Sequence, residues 1–156
     1  MFVTHKRNPT HFAAAGGSRD VIDLLISKGG DLEGVDMNGR FPIHYAAMYG
    51  RLELLQWMWI SGSEMEVKAS RLTTFNGSTP LHVAVENEQL EIVEFLASNQ
   101  AGINSSDFDG NCPVHKAGQA GNIAIFQCLL DNESNPNARN NYGRSPFQEA
   151  VLAEKN

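Results

Sequence analysis

The chain is poor in cysteine, in charge and in long apolar runs, and each shortage closes off a class of protein. Only two cysteines, Cys112 and Cys128, stand in 156 residues. A small secreted scaffold stapled by disulfides carries more, so both read as free thiols in a reducing compartment. Charged residues make up 19% of the chain against 42% hydrophobic, a globular rather than a disordered composition. The formal net charge is −6. A phosphate backbone is held by clustered Lys and Arg, so nucleic acid is not an expected partner. No apolar run approaches the roughly 20 residues that span a bilayer, and membrane insertion is not expected. The opening segment Met1-Phe2-Val3-Thr4-His5-Lys6-Arg7 turns polar at once and has no apolar leader core. The expectation is a single soluble domain inside the cell, in cytoplasm or nucleus. Three Asn-x-Ser triplets, at Asn76, Asn104 and Asn132, then read as chance matches in an Asn-rich chain.

Catalytic and metal motifs are missing too. There is no Gly-x-Ser-x-Gly elbow, no phosphate-cradling Gly-Lys-Ser/Thr and no Cys-His pairing. Asp107-Phe108-Asp109-Gly110 looks like the start of a calcium loop. With Gly110 at the sixth position, however, Ser105 and Lys116 occupy the positions that require Asp and Glu. No catalytic residue, cofactor or metal is expected, and the chain is not expected to be an enzyme.

What is present is a period. Prolines stand at 9, 42, 80, 113 and 146, spaced by 33, 38, 33 and 33 residues. Two residues after the first four stand His11, His44, His82 and His115, with Gln148 after the fifth. Four residues after each proline stands an alanine: Ala13, Ala46, Ala84, Ala117 and Ala150. Three residues before the last four prolines stand Gly39, Gly77, Gly110 and Gly143. A period of this length marks a repeat architecture.

Each unit reads as two short helices. Thr79-Pro80 and Ser145-Pro146 place a hydroxyl at the N-cap and proline in the first turn. The first helix stops at Gly17, Gly50 or Gly121. The second carries the apolar residues, for example Leu54-Leu55 with Trp57-Met58-Trp59 and Ile92-Val93 with Phe95-Leu96. Asp23, Gln56, Glu94 and Gln127 interrupt these runs and should face outward. Trp57 reads as core, Trp59 as partly exposed, and Cys128 as an inert buried thiol at a core leucine position. Helices of about 8–10 residues are marginal alone in water, so the units must stack into a solenoid.

At Thr79-Pro80-Leu81-His82-Val83-Ala84 and at Phe41-Pro42-Ile43-His44-Tyr45-Ala46-Ala47 with Gly50, the pattern resembles the ankyrin repeat over almost the whole chain. The resemblance implies an all-α repeat solenoid of helix-turn-helix pairs joined by β-hairpin fingers. It gives one ankyrin-repeat domain over 1–156, with repeats at about 6–34, 35–67, 71–105, 106–138 and a partial fifth at 139–156. Phe41 and Cys112 depart from the family by replacing the capping Thr. Glu88, Gln100 and Glu133 depart from it by replacing helix-ending glycines. Five residues are extra between repeats 2 and 3, which predicts a longer finger at about 64–76. Both ends are incomplete repeats. They fit degenerate caps or a piece of a longer protein, and the absence of a polar capping helix favours the second.

The evenly spaced histidines do not make a metal site. The resemblance implies a step of about 10 Å between successive repeats, whereas zinc bonds are about 2 Å long. Each histidine is expected to bond local backbone and tie one repeat to the next.

The resemblance further implies a scaffold that binds another protein through its fingers and concave face, as part of a larger regulatory or adaptor protein and as a monomer in isolation. The alternative is a structural spacer in a longer array, such as a channel's cytosolic region. The family's variable exposed positions fall on Met37, Asn38, Arg40, Met48 and Tyr49 in repeat 2. In repeat 3 they fall on Phe75, Asn76, Ser78, Glu86 and Asn87; in repeat 4 on Phe108, Asp109, Asn111, Gln119 and Ala120; in repeat 5 on Asn141, Tyr142 and Arg144. Aromatics, Met and Arg are enriched at interface cores. Those types make Met37, Arg40, Met48, Tyr49, Phe75, Phe108, Tyr142 and Arg144 the leading candidates, with Asn76, Glu86, Asn87, Asp109 and Gln119 beside them.

Overall fold

The computed structural model of the chain describes residues 6–60 and 72–155. Among them lie nine helices: α1 (Pro9–Gly16), α2 (Arg19–Ser27), α3 (Pro42–Met48), α4 (Leu52–Ile60), α5 (Pro80–Glu86), α6 (Leu90–Ser98), α7 (Pro113–Ala120), α8 (Ile123–Asp131) and α9 (Pro146–Glu154). Residues 64–71 of the expected long finger lie outside the described residues.

Local chemistry starts each first helix. Asn8, Thr79 and Ser145 accept the backbone N–H of the third helical residue at 3.1, 3.3 and 3.3 Å. That third residue returns the favour: Nδ1 of His11, His44, His82 and His115 accepts the N-cap backbone N–H at 3.0–3.2 Å. In the fifth unit Gln148 Oε1 does the same for Ser145 at 2.9 Å. This is a reciprocal cap with imidazole in place of carboxylate. Phe41 and Cys112 give no side-chain cap hydrogen bond, so α3 and α7 keep only the histidine half. The absent helix-ending glycines are absorbed by strain. Glu88, Gln100 and Glu133 take φ of 56°, 55° and 69°, a left-handed conformation that costs a non-glycine residue about 1–2 kcal/mol.

Packing then joins the units. Helices α1, α3, α5, α7 and α9 contact one another in order, and α4, α6 and α8 form the second layer. The recurrent alanines allow this closeness: Ala13, Ala46, Ala84 and Ala117 are at most 8% exposed between the layers. Ile22, Leu55, Leu81, Ile92, Leu96, Ile125 and Leu129 complete the core. A fully buried side chain of this kind contributes roughly 1.5–3 kcal/mol.

The histidines tie the stack. With Nδ1 accepting, the other ring nitrogen carries the proton and donates forward. Nε2 of His11, His44, His82 and His115 reaches the carbonyls of Arg40, Ser78, Asn111 and Arg144 at 2.8, 3.3, 2.8 and 3.1 Å. Both nitrogens are committed to backbone in the neutral form. Burial, the largest influence, pushes the pKa of His44 down to about 4 and lowers that of His82. Among the described residues no three His, Cys, Asp or Glu side chains are grouped to hold a metal.

Three expectations need correcting. The fingers contain no strand among the described residues; each is a tight turn closed by one backbone pair. Examples are Gly39 N–H to Asp36 and Asp36 N–H to Arg40, both 3.1 Å. The arms are too short for a hairpin ladder. Neighbouring turns are nevertheless linked: the N–H groups of Phe75, Phe108 and Asn141 donate to Asn38, Asn76 and Asp109 at 2.9 Å. Second, the tryptophans exchange roles. Trp59 is 5% exposed and meets Phe95 edge-on, because Leu54, Leu55, Met58 and Trp59 share one helical face. Trp57 lies on the flank, half-buried beneath the Arg19 guanidinium at 5.1 Å. Third, α2 buries less than its apolar residues suggest. Val21, Leu24 and Ile26 are 45%, 58% and 40% exposed, because they lie on the flanks of the narrow stripe formed by the buried Ile22 and half-buried Leu25.

Candidate protein-binding surface

The finger turns are built on a pairing nine residues long. Asp36, Thr74, Asp107 and Asn140 open the turns and stand nine residues before Tyr45, Val83, Lys116 and Glu149 on the first helices. Asp36 Oδ1 accepts the N–H groups of Asn38 and Arg40 at 2.8 and 2.9 Å, and its Oδ2 accepts the Tyr45 hydroxyl at 2.6 Å. Burial pushes this carboxyl up, but those three bonds and the Arg40 charge together hold it below its usual value. Burial and the Asp36 bond raise the Tyr45 phenol in turn. Asp107 repeats the turn and pairs with Lys116 Nζ at 3.3 Å. Asn140 repeats it with Glu149, to which its amide donates at 2.7 Å. Where Val83 offers no polar group, the acceptor is the uncharged Thr74. The fingers are thus anchored rigidly over the first helices, and the residues at their tips are presented rather than loose.

Eight of the thirteen candidates meet in one cavity. Met37, Arg40, Met48, Tyr49, Phe75, Asn76, Glu86 and Asn87 all line a groove of about 510 Å³ between the second and third units. Tyr45 and Val83 form part of its floor, and the Tyr45 and Tyr49 rings stack with centroids 6.4 Å apart. Tyr49 is 48%, Met37 45% and Phe75 65% exposed. Phe75 also rests one side of its ring on Gly39 of the preceding finger, where an added Cβ would collide with it. Phe108 does the same over Gly77, at 2.8 Å from such a Cβ, while 71% exposed. These two rings therefore both stiffen the row of fingers and present a free face.

The remaining five candidates do not line this groove. Phe108, Asp109, Gln119, Tyr142 and Arg144 continue the exposed strip through the fourth and fifth units. There Arg144 lies over the Tyr142 ring at 5.4 Å and 3.7 Å from Glu149. Two further positions expected to be exposed are not: Ser78 and Asn111 are 2% and 4% exposed. Their carbonyls receive the histidine bonds, which draws short side chains inward, whereas arginine at the same place reaches out. The groove also includes Arg7, Tyr45, Thr74 and Val83, which the sequence reading missed. Arg7 stands two residues before Pro9, the place Arg40 holds before Pro42, and its guanidinium lies 5.4 Å from the Tyr45 ring centroid.

Both thiols are free, and Cys128 is half-buried rather than buried as its leucine position suggests. Burial raises the pKa of Cys112 and of the half-buried Cys128, disfavouring the thiolate. No helix among the described residues is long and apolar enough to cross a membrane.

Comparison with known proteins names the architecture. The family model for ankyrin repeats (3 copies) matches residues 3–69, 44–140 and 81–156. The chain belongs to the ankyrin-repeat family, whose repeats are in general protein–protein interaction modules. It is 35% identical over 100 residues to the Ankyrin repeat protein nuc-2 of Neurospora crassa, covering 64% of this chain and 9% of that protein. It is similar to the Tyrosine-protein kinase HTK16 of Hydra vulgaris, 31% identical over 60% of this chain and 12% of that protein. To NF-kappa-B inhibitor alpha of Homo sapiens it is 29% identical, over 65% of this chain and 32% of that protein. The match thus spans about a third or less of these relatives. Their names differ in activity, and what they share with this chain is the repeat segment.

Proposed function

We propose that the chain binds a partner protein through the strip formed by its finger tips and first helices, with the groove between repeats 2 and 3 as its centre, and carries out no catalysis of its own. The observation that supports this most is the convergence of Tyr49, Phe75, Met37 and Met48 with Arg40 in one 510 Å³ groove on rigid elements. That volume falls in the range of ligand pockets, about 300–1,000 Å³. Large apolar side chains left exposed side by side mark an interaction site. The NF-kappa-B inhibitors, by their names, act on another protein, which agrees with this reading.

The test is Tyr49→Ala combined with Phe75→Ala. Both side chains are about half exposed or more and touch the fold on one side only, so the melting curve should move by a few degrees at most, short of unfolding. Affinity for a partner recovered with the wild-type chain should fall at least about tenfold, equivalent to roughly 1.4 kcal/mol. Asp23→Ala with Glu94→Ala, at exposed positions of the second helices, is the control and should leave affinity unchanged. Loss of binding by the control pair alone would move the site to the other face. A chain that retains no specific partner would support the spacer role instead.

A further inference from the structure

The charged side chains that bear on the groove are not equivalent. Arg7 and Arg40 converge on Tyr45: the Arg7 guanidinium lies 5.4 Å from its ring centroid, and Arg40 acts on its hydroxyl, opposing the rise in the phenol's pKa. Neither stands within ion-pair distance of a carboxylate among the described residues, unlike Arg19, Lys116 and Arg144. Asp36 lies behind them, but its oxygens are already taken by the Asn38 and Arg40 N–H groups and the Tyr45 hydroxyl. From the repeat 3 side comes Glu86, held by Lys116 at 3.3 Å. Among the described residues the groove therefore runs from an end with two arginines against the one carboxylate of Asp36, past Met48, Tyr49 and Phe75, to an end with Glu86 and Asp107 against Lys116.

We infer that the groove takes a partner segment carrying an acidic side chain next to a bulky apolar one, the carboxylate at Arg7 and Arg40 and the apolar group against Tyr49, Met48 and Phe75. The inference rests on the reading of this strip as the binding surface and specifies what it selects. Guanidinium forks match carboxylate geometry, and charge-assisted bonds to them are among the stronger ones in proteins. The aromatic wall lowers the local dielectric and strengthens the pair. Glu86 repels a second carboxylate at the far end, which gives the segment a direction. The net charge of −6 does not oppose this. Exposed charges are screened over about 8–10 Å at ordinary ionic strength, so the two adjacent arginines decide what docks beside them.

A random-peptide library displayed on phage and selected on the whole chain tests the assignment. Enriched peptides should carry Asp or Glu adjacent, or nearly adjacent, to Leu, Ile, Met or Phe. Fluorescence anisotropy with the labelled peptides should give a Kd that rises with salt. Arg7→Gln with Arg40→Gln should raise Kd at least about tenfold, and changing the peptide's acid to its amide should cost no more once the arginines are gone. Should Arg40→Gln disturb the fold through Tyr45, the exposed Arg7→Gln alone decides, with a smaller loss in the same direction. Neutral or basic peptides that lose affinity with Tyr49→Ala would overturn the acidic assignment while leaving the surface intact. Peptides indifferent to Tyr49→Ala, Phe75→Ala and both arginine variants would overturn the surface as well. A library that enriches nothing beyond an unrelated control protein would also count against the inference.

Discussion

The histidine ladder makes a prediction about acid. In the fold His44 is neutral and completely buried, with Nδ1 accepting from Phe41 at 3.0 Å and Nε2 donating to Ser78 at 3.3 Å. Protonation would place a second N–H against the Phe41 N–H and a charge in the core. Its pKa is accordingly lowered from 6.5 to about 4. For a base with a depressed folded pKa the stability is full above pH 6.5. It declines as pH falls from there toward 4, because the unfolded chain takes up the proton first. Between pH 7 and pH 5 this one group should cost about 2 kcal/mol. Gln148 supplies the comparison, since it makes the same cap bond without titrating. His44→Gln should therefore be less stable than wild type at pH 7, by about 1–2 kcal/mol from an imperfect forward bond. At pH 5 the gap should close or reverse. Urea unfolding followed by circular dichroism at both pH values measures it. His82, His11 and His115 are common to both proteins and cancel in the difference. An equal gap at pH 7 and pH 5 would refute the claim that the ladder works only as neutral imidazole.

Other consequences can be checked on the isolated chain. Leu54→Ala should cost about 2–5 kcal/mol and Val21→Ala under about 0.5, although the two hold the same place in successive repeats, because Leu54 is 2% exposed and Val21 45%; urea titrations of both would show it. Glu133→Gly should stabilise by about 0.5–1 kcal/mol, relieving a φ of 69° at an exposed residue; an unchanged or lower melting temperature would contradict the strain. EDTA should leave the melting curve where it was, as each ladder histidine is engaged with backbone on both nitrogens; a lower melting temperature would point to a metal.

The repeat was legible because its physics is local and is written several times. Proline in the first turn, with histidine or glutamine two residues after it and in three units an acceptor before it, satisfies one helix end, so the spacing alone placed every described first helix. Burial within a second helix was less legible. Trp57 and Trp59 are two residues apart, about 200° around the helix. Which of them points inward depends on the neighbouring repeat, where Phe95 takes up Trp59 and Arg19 covers Trp57. The apolar run of α2 likewise says what that helix could bury, whereas Val21 and Leu24 are covered only if something stacks on them.

The site divides in the same way. The candidates found from the sequence sit at fixed distances from the prolines, and eight of them share the groove. The pairing of Asp36 with Tyr45, Asp107 with Lys116 and Asn140 with Glu149 was also open to reading. Each pair is nine residues apart, so the repeats of this chain serve as an alignment of one sequence against itself. In each polar pair the side chain nine residues on complements the turn residue: a hydroxyl or an ammonium meets a carboxylate, and a carboxylate meets an amide. The Thr74 and Val83 pair has no charge to balance. Arg7 has such copies as well: it stands two residues before Pro9, as Arg40 and Arg144 stand before Pro42 and Pro146. The period therefore marks the position, but not its contact: the stacking of α1 on α3 carries the chain before Pro9 to the Tyr45 ring. Reach into the neighbouring repeat is not written in the spacing, which is why the convergence of Arg7 and Arg40 had to be found in three dimensions.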